Sequence, residues 1–192
     1  MVVSTITATS LIHTCTIQKR HHKQKLTYKT GTGAFTVGLT VTGGTSHATG
    51  IIDRKSGTVA TGYLILKTVS GTFQNNEPLT DTATGAAVAD GANADYYNDS
   101  REPEWYWVND QTSVPCKFYF PRSGYVIVHD TGERIDESLK MFLNPSVTID
   151  ATNYRIVSTE TEFTGTFIIE ALYAMTFTYG IHHYELTLKA AT

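Results

Sequence analysis

Charge is scarce in this chain of 192 residues: 17% are Asp, Glu, Lys or Arg, against 41% hydrophobic. That apolar share is enough to bury a core and excludes a wholly disordered chain. A formal charge of −3 leaves no basic footprint for nucleic acid. The one local cationic run, Lys19-Arg20-His21-His22-Lys23-Gln24-Lys25, reads as a solvated strand end or hairpin tip. Cysteine is limited to Cys15 and Cys116, too few for a disulfide-stapled secreted scaffold. Both fall in predicted core strands, so a bridge between them stays open; reduced, buried, structural thiols are the expectation. No apolar run approaches the roughly 20 residues of a membrane span, and no basic-then-apolar leader opens the sequence. A soluble protein folded in a reducing cytoplasm, with no membrane partner, is expected.

The constellations of catalysis are missing too. There is no Gly-x-Ser-x-Gly, and neither cysteine has a neighbouring histidine to lower its pKa. Gly31-Thr32-Gly33 lacks the downstream Lys-Ser/Thr and helix of a phosphate loop. The acidic pairs Asp136-Glu137 and Glu160-Thr161-Glu162 read as solvated surface rather than glycosidase carboxylates. His21-His22 and His182-His183 are adjacent pairs, whose side chains should point to opposite faces of a strand, and with His13 and His47 they lack zinc-ligand spacing. The expectation is therefore no enzyme, no metal and no cofactor.

What the chain does have is threonine, about one residue in six, together with 8 Phe, 11 Tyr and 2 Trp. β-Branched and aromatic residues favour strands, and nothing has helical period. The fold class predicted is all-β: a small β-barrel with an inserted small β-domain. The barrel comes from two separated stretches, 1–29 and 101–192, because neither is long or apolar enough to close a core alone. Cys15, Ile17, Cys116, Phe118, Phe142 and Leu143 are its candidate core residues. Between them, residues 30–100 form a Gly/Thr-rich module that ends in an acidic, turn-rich return. This module carries an internal repeat: Gly33-x-Phe35-x-x-Gly38-x-x-Val41-Thr42-Gly43 aligns with Gly71-x-Phe73-x-x-Asn76-x-x-Leu79-Thr80-Asp81. Each copy offers an aromatic anchor, a residue able to take positive φ, and a short strand. Two copies make no solenoid, so a compact unit of four to six strands is expected.

The Cys15-Thr16-Ile17 strand, then Val114-Pro115-Cys116-Lys117-Phe118, Phe142-Leu143-Asn144-Pro145 and the closing His182-His183-Tyr184-Glu185-Leu186, together resemble the head-closure (stopper) proteins of tailed bacteriophages. The chain departs from that pattern at Asn144, where Pro is common, and in carrying an insert. The resemblance implies a cyclic homo-oligomer, six- or twelve-fold, in the neck of a virion assembled in the host cytoplasm. A portal or adaptor protein would lie on its head side and a tail terminator on its tail side. Packaged DNA would be held in the channel without sequence specificity. The plug would be the loop of Gly124, Tyr125, Val126, Ile127, Val128, His129, Asp130, Thr131 and Gly132, read locally as part of a long β-hairpin. A rival reading is a carbohydrate- or cell-binding β-module of a phage tail tip or fibre, using Trp105-Tyr106-Trp107 or Tyr96-Tyr97.

Overall fold

A computed structural model describes residues 11–120, 127–129, 132–134, 139–177 and 180–191. Among them the chain is all-β, with strands and no helix. The first strands are β1 (His13–His22), β2 (Gln24–Gly33), β3 (Thr40–Gly43), β4 (Thr49–Gly57) and β5 (Gly62–Ser70). Next come β6 (Pro78–Asp81), β7 (Ala86–Ala89), β8 (Ala94–Asp95), β9 (Trp105–Tyr119), β10 (Ile127–His129) and β11 (Gly132–Arg134). The last four are β12 (Leu139–Leu143), β13 (Tyr154–Ser158), β14 (Gly165–Phe177) and β15 (Gly180–Ala190). The chain divides into two compact units, Met1–Arg20 with Trp107–Thr192, and His21–Tyr106.

The first unit is a closed six-stranded barrel in the order β1-β13-β14-β15-β12-β9. Strands β12 and β13 alternate cleanly, as a sheet with one buried face requires. In β12, Leu139, Met141 and Leu143 face in while Lys140 and Phe142 do not; in β13, Tyr154, Ile156 and Ser158 face in. Val114, Cys116 and Phe118 of β9 and Cys15 and Ile17 of β1 complete one buried cluster with Leu186 and Leu188 of β15. Five of the six residues expected in the core, Cys15, Ile17, Cys116, Phe118 and Leu143, lie in this cluster. Phe142 does not, and the reason is parity. Consecutive strand residues point to opposite faces, so Phe142 and Leu143 cannot both be inside, and Leu143 pairs in register with the buried Cys116.

The second unit is also a closed barrel. Its strands follow β5-β4-β3-β6-β7-β2, with β2 pairing back to β5, and β8 adds to β2. It begins and ends outside the limits read from the sequence, 30–100. Leu26 and Tyr28, expected in the first barrel, are buried here with Phe35, Val41, Leu64, Phe73 and Leu79. The stretch 1–29 assigned to one barrel breaks at Lys23, inside the cationic run read as a strand end or hairpin tip, and without a Gly or Pro to mark the place. There the Lys23 N–H donates to the Glu104 carbonyl, and its carbonyl accepts from Tyr96 N–H. The Lys23 ammonium bonds Asp53 at 2.8 Å and Glu104 at 3.3 Å. Lys67 reaches Asp53 at 3.3 Å, and Arg54 pairs with Glu104.

The repeat seen as a short frame extends over both halves of this second barrel, with β2, β3 and β4 repeated as β5, β6 and β7. Leu26 lies opposite Leu64, and the β2–β5 ladder reads the same from either strand: Gln24 pairs Leu66 while Tyr28 pairs Gly62. The β3–β6 ladder does likewise about Thr42 and Thr80, with Val41 on Asp81 and Gly43 on Leu79. Positive φ recurs at matching places, at Thr30 (48°) and Thr68 (53°), and at Gly38 (90°) and Asn76 (64°). Matching backbone bonds run from Gly38 N–H to Ile52 carbonyl (2.7 Å) and from Asn76 N–H to Ala89 carbonyl (3.0 Å). The barrel is thus an internal duplication with a pseudo-two-fold axis, closed by two self-complementary strand pairs.

The two halves are held by carboxylates at equivalent places but from different positions. Asp81 accepts from the N–H groups of Thr36 (3.0 Å), Ala83 (2.9 Å) and Gly85 (2.7 Å). The positions matching Thr36 and Ala83 are Gln74 and Thr45, and both donate to Glu77, at 2.6 and 3.0 Å. Ser46 adds its N–H (2.8 Å) and hydroxyl (2.8 Å) to the same carboxylate. The match to Asp81 in the first copy is Gly43, and a Cβ placed there would fall 2.6 Å from the Glu77 oxygens. One copy supplies its own turn cap; the other has a glycine, and Glu77 from its partner copy fills the space.

Candidate functional site

The outward face of β9, β12, β15 and β14 in the first barrel gathers side chains whose chemistry the core does not use. Register sets them in rows: Lys117, Phe142, Glu185 and Tyr173 in one, Tyr119, Lys140, Thr187 and Ala171 in the next. His183 lies across from Met175. The Phe142 ring stacks on Tyr119 with centroids 4.7 Å apart and meets His183 edge-on at 5.1 Å. Within this apolar frame Lys140 donates to Thr187 Oγ1 at 2.9 Å and lies 3.5 Å from Glu185. Its ammonium also stands 6.0 Å from the Tyr173 ring centroid. Tyr119 hydroxyl donates to Glu185 at 3.2 Å. Burial, then the adjacent Glu185 carboxylate, push that phenol up to about 12.

Around this centre the face is open. Tyr173 is 54% and Met175 42% exposed, with Ile168 at 43% on the same strand. Lone exposed apolar residues are ordinary, but several on one sheet face, ordered around a charged pair, have the composition of a protein-binding surface. The segment Tyr173–Phe177 with Gly180–His183 also runs past the ladders made by β13 and β12, which end at Ile168 and Tyr184.

His182 and His183 do not point apart as a regular strand would make them. The ladder skips between Met175, paired to His183, and Thr176, paired to Ile181. His182 therefore sits in a β-bulge, where alternation fails. The two Nδ1 atoms come within 2.8 Å, so one must donate and the other accept. Burial, then His182, hold the His183 pKa below its ordinary value.

The proposed plug residues are described only in part. Gly124, Tyr125, Val126, Asp130 and Thr131 lie outside the described residues. Ile127, Val128 and His129 form β10, Gly132 opens β11, and the two strands pair as a hairpin with Val128 on Glu133. Cys15, Ile17, Cys116, Phe118 and Leu143 are interior and offer nothing to a partner. Of the residues proposed from sequence for the core or the plug, Phe142 alone is found on the outward face; His183, weighed from sequence as a metal ligand, lies on it too. Tyr119, Lys140, Tyr173, Met175 and Glu185 were missed there. For Lys140 and Glu185 the signal was present in β12 and β15, as polar residues alternating with Leu139, Met141, Leu143, Leu186 and Leu188.

The aromatics of the sugar-binding reading are largely occupied. Trp107 is covered by the Arg155 guanidinium, 4.5 Å from its centroid, and Trp105 packs on His22 at 3.5 Å. Tyr96 lies under Arg54 at 5.5 Å, whereas Tyr97 is 53% exposed. Among the described residues no three or more His, Cys, Asp or Glu side chains gather as a metal site needs. No protein-family model, curated protein or solved structure matches the chain.

Proposed function

We propose that this chain is a structural virion protein of a tailed bacteriophage, a head-closure ring at the head–tail connector. The observation that carries the reading is the outward face of the first barrel, where Tyr119, Phe142, Tyr173 and Met175 surround the Lys140–Glu185 pair. A ring needs side-by-side contacts between unlike surfaces of identical subunits, and this face is the patch best suited to one side of such a contact. The motif resemblance spans the two stretches that build this same barrel, which supports the reading independently. In it, the ring closes the DNA exit after packaging, abuts the portal or adaptor protein above and the tail terminator below, and resides in the virion neck. The β10–β11 hairpin is the element that would face the channel and its DNA. The second barrel is a decoration between two strands of the ring-forming unit. No catalytic role is proposed.

The test is genetic complementation with a biochemical readout. Capsids packaged without the protein should lose DNA and fail to accept tails, and purified protein added in trans should restore both. Capsids that keep their genome and take tails equally well without it would overturn the proposal.

A further inference from the structure

The interior of the first barrel holds both cysteines of the chain, Cys15 4% and Cys116 0% exposed. They sit on β1 and β9, which are neighbours in the closed antiparallel barrel. The pairing of these strands is marked by the Phe118 N–H, which donates to His13 Nδ1 at 3.0 Å. Moving two residues along each strand, in opposite directions, leads from His13 to Cys15 and from Phe118 to Cys116. Opposed residues of antiparallel strands have Cα atoms about 4.5–5.5 Å apart, inside the span of about 4.4–6.8 Å that a disulfide bridges. Both side chains face the same cluster, and Cys15 is the neighbour that acts most strongly on the Cys116 thiol.

We infer that Cys15 and Cys116 are a latent disulfide site, closed by two-electron oxidation with a small disulfide such as oxidised glutathione. One thiolate attacks the reagent and forms a mixed disulfide, releasing one reduced glutathione. The second thiolate attacks the protein sulfur of that intermediate, forming the Cys15–Cys116 bond and releasing the second. Two thiol protons and two electrons leave the protein, and the reagent takes up both. The link would clamp β1 to β9, the two strands through which the chain passes from one compact unit to the other.

The neighbouring Cys15, together with burial, holds the Cys116 thiol protonated well above its ordinary range. Both sulfurs are closed off in the barrel interior, so the folded barrel resists oxidation and the bond forms through opened or refolding chains. A redox change in the surroundings would thus be recorded at folding and then kept, because reducing agents reach the closed interior no faster than oxidants do.

The full chain is tested in two arms, held folded with excess oxidised glutathione at mildly alkaline pH, and refolded from denaturant into the same buffer. Unreacted thiols are then alkylated in denaturant, and intact and peptide masses are read. The inference predicts that at least the refolded arm gives a monomer lighter by two hydrogens, with no alkylation, a Cys15–Cys116 cross-linked peptide and an unchanged far-ultraviolet spectrum. Its melting temperature should rise, and unfolding in dithiothreitol before refolding should reverse the rise. Two alkylated cysteines, a glutathione adduct on either, or chain-to-chain dimers in both arms would overturn it, as would a linked chain that has lost its strand spectrum.

Discussion

In the second barrel, buried and half-buried carboxylates are turned on the unit's own groups. Glu77 is 2% exposed and caps the backbone of both copies of the repeat, Asp81 caps its own turn, and Asp53 and Glu104 sit among Lys23, Arg54 and Lys67. In the first barrel the most elaborate polar cluster, Lys140 with Glu185, Thr187 and Tyr119, lies instead on an outward face framed by aromatic rings. The exposed large apolar residues divide in a similar way: Phe120, Ile168, Tyr173 and Met175 lie on the first barrel's C-terminal strands or next to β9 and Ile12 just ahead of β1, against the scattered Val37, Val59 and Tyr97 in the second. The duplicated barrel uses its buried carboxylates on its own backbone and cations. The non-repeating barrel sets a charged pair among exposed apolar side chains, and this is the surface that the proposed ring would cover.

If the two units are separate cores, each should answer to its own aromatic anchor. Phe73 and Phe118 are both buried in their respective clusters. Replacing either by Ala should cost about 3–5 kcal/mol, the usual range for a buried Phe. Calorimetry should show Phe73→Ala lowering one transition and Phe118→Ala the other. Phe142→Ala, on the outer face, should cost no more than about 1–2 kcal/mol. One transition lowered by both buried substitutions would make the units a single cooperative core and end the comparison.

The carboxylate exchange inside the second barrel gives the next largest effect. Glu77→Leu leaves the N–H groups of Thr45, Ser46 and Gln74 without their acceptor and should cost about 3 kcal/mol. Gly43→Asp alone crowds a second carboxylate against the first and should also destabilise. Together they give the first copy the cap that Asp81 provides in the second, so the double variant should recover at least half of the Glu77→Leu loss in a chemical melt. Additive losses would mean that the two caps are not equivalent.

Acid should separate the units by pH window. For Glu77, burial alone favours the neutral acid, but N–H donors from Ser46, Gln74 and Thr45 outweigh it; at Asp81 burial is likewise outweighed by Thr36, Ala83 and Gly85. Both carboxyls are held below their ordinary values of 4.5 and 3.8. The folded state releases these protons more readily than the unfolded one, so the stabilisation is whole above those values. It is lost as pH falls through the depressed folded pKa values. His183 is depressed as well, from an ordinary 6.5, so its contribution is whole above 6.5 and begins to fall once the pH drops below it. Double protonation sets its N–H against that of His182, with Glu185 and Lys140 the nearby charges and Phe142 and Met175 the apolar neighbours. Between pH 6.5 and about 5, well above the carboxylate window, the first barrel alone should lose stability, read as the shift of its calorimetric transition. A second-barrel transition that moves first would reverse the assignment.

The smallest effect on stability should accompany the largest on assembly. Tyr173→Ser with Met175→Ser removes exposed side chains and should change each melt by no more than about 0.5 kcal/mol. It should abolish higher oligomers in sedimentation, whereas Val37→Ser with Val59→Ser leaves them intact. Equal oligomerisation of both variants would move the partner surface off this face.

Composition and alternation were enough to read an all-β chain, because threonine and aromatic residues spaced by Gly, Pro and Asn turns leave no helical alternative. The repeat was legible only at Phe35 and Phe73 and their neighbouring turn residues. The rest of the duplication rests on burial and φ: Leu26 with Leu64, Thr30 with Thr68, pairs of residues that many other sequences would also contain. The unit boundary was hidden because β1 and β2 are separated by Lys23 alone, whose turn is held by Glu104, Tyr96 and Asp53 from distant sequence. Phe142 was misplaced by reading hydrophobicity without parity, and with it the outward face went unseen. The closeness of His182 and His183 arises from a one-residue skip in a ladder, which no spacing in the chain announces.

The most direct test of the central claim is negative-stain imaging of purified protein mixed with tailless, DNA-filled capsids. A ring seated at the portal vertex, absent with the Tyr173→Ser, Met175→Ser variant, is the result this account predicts. Unoccupied portal vertices, or density at a tail tip or fibre in whole virions instead, would contradict it.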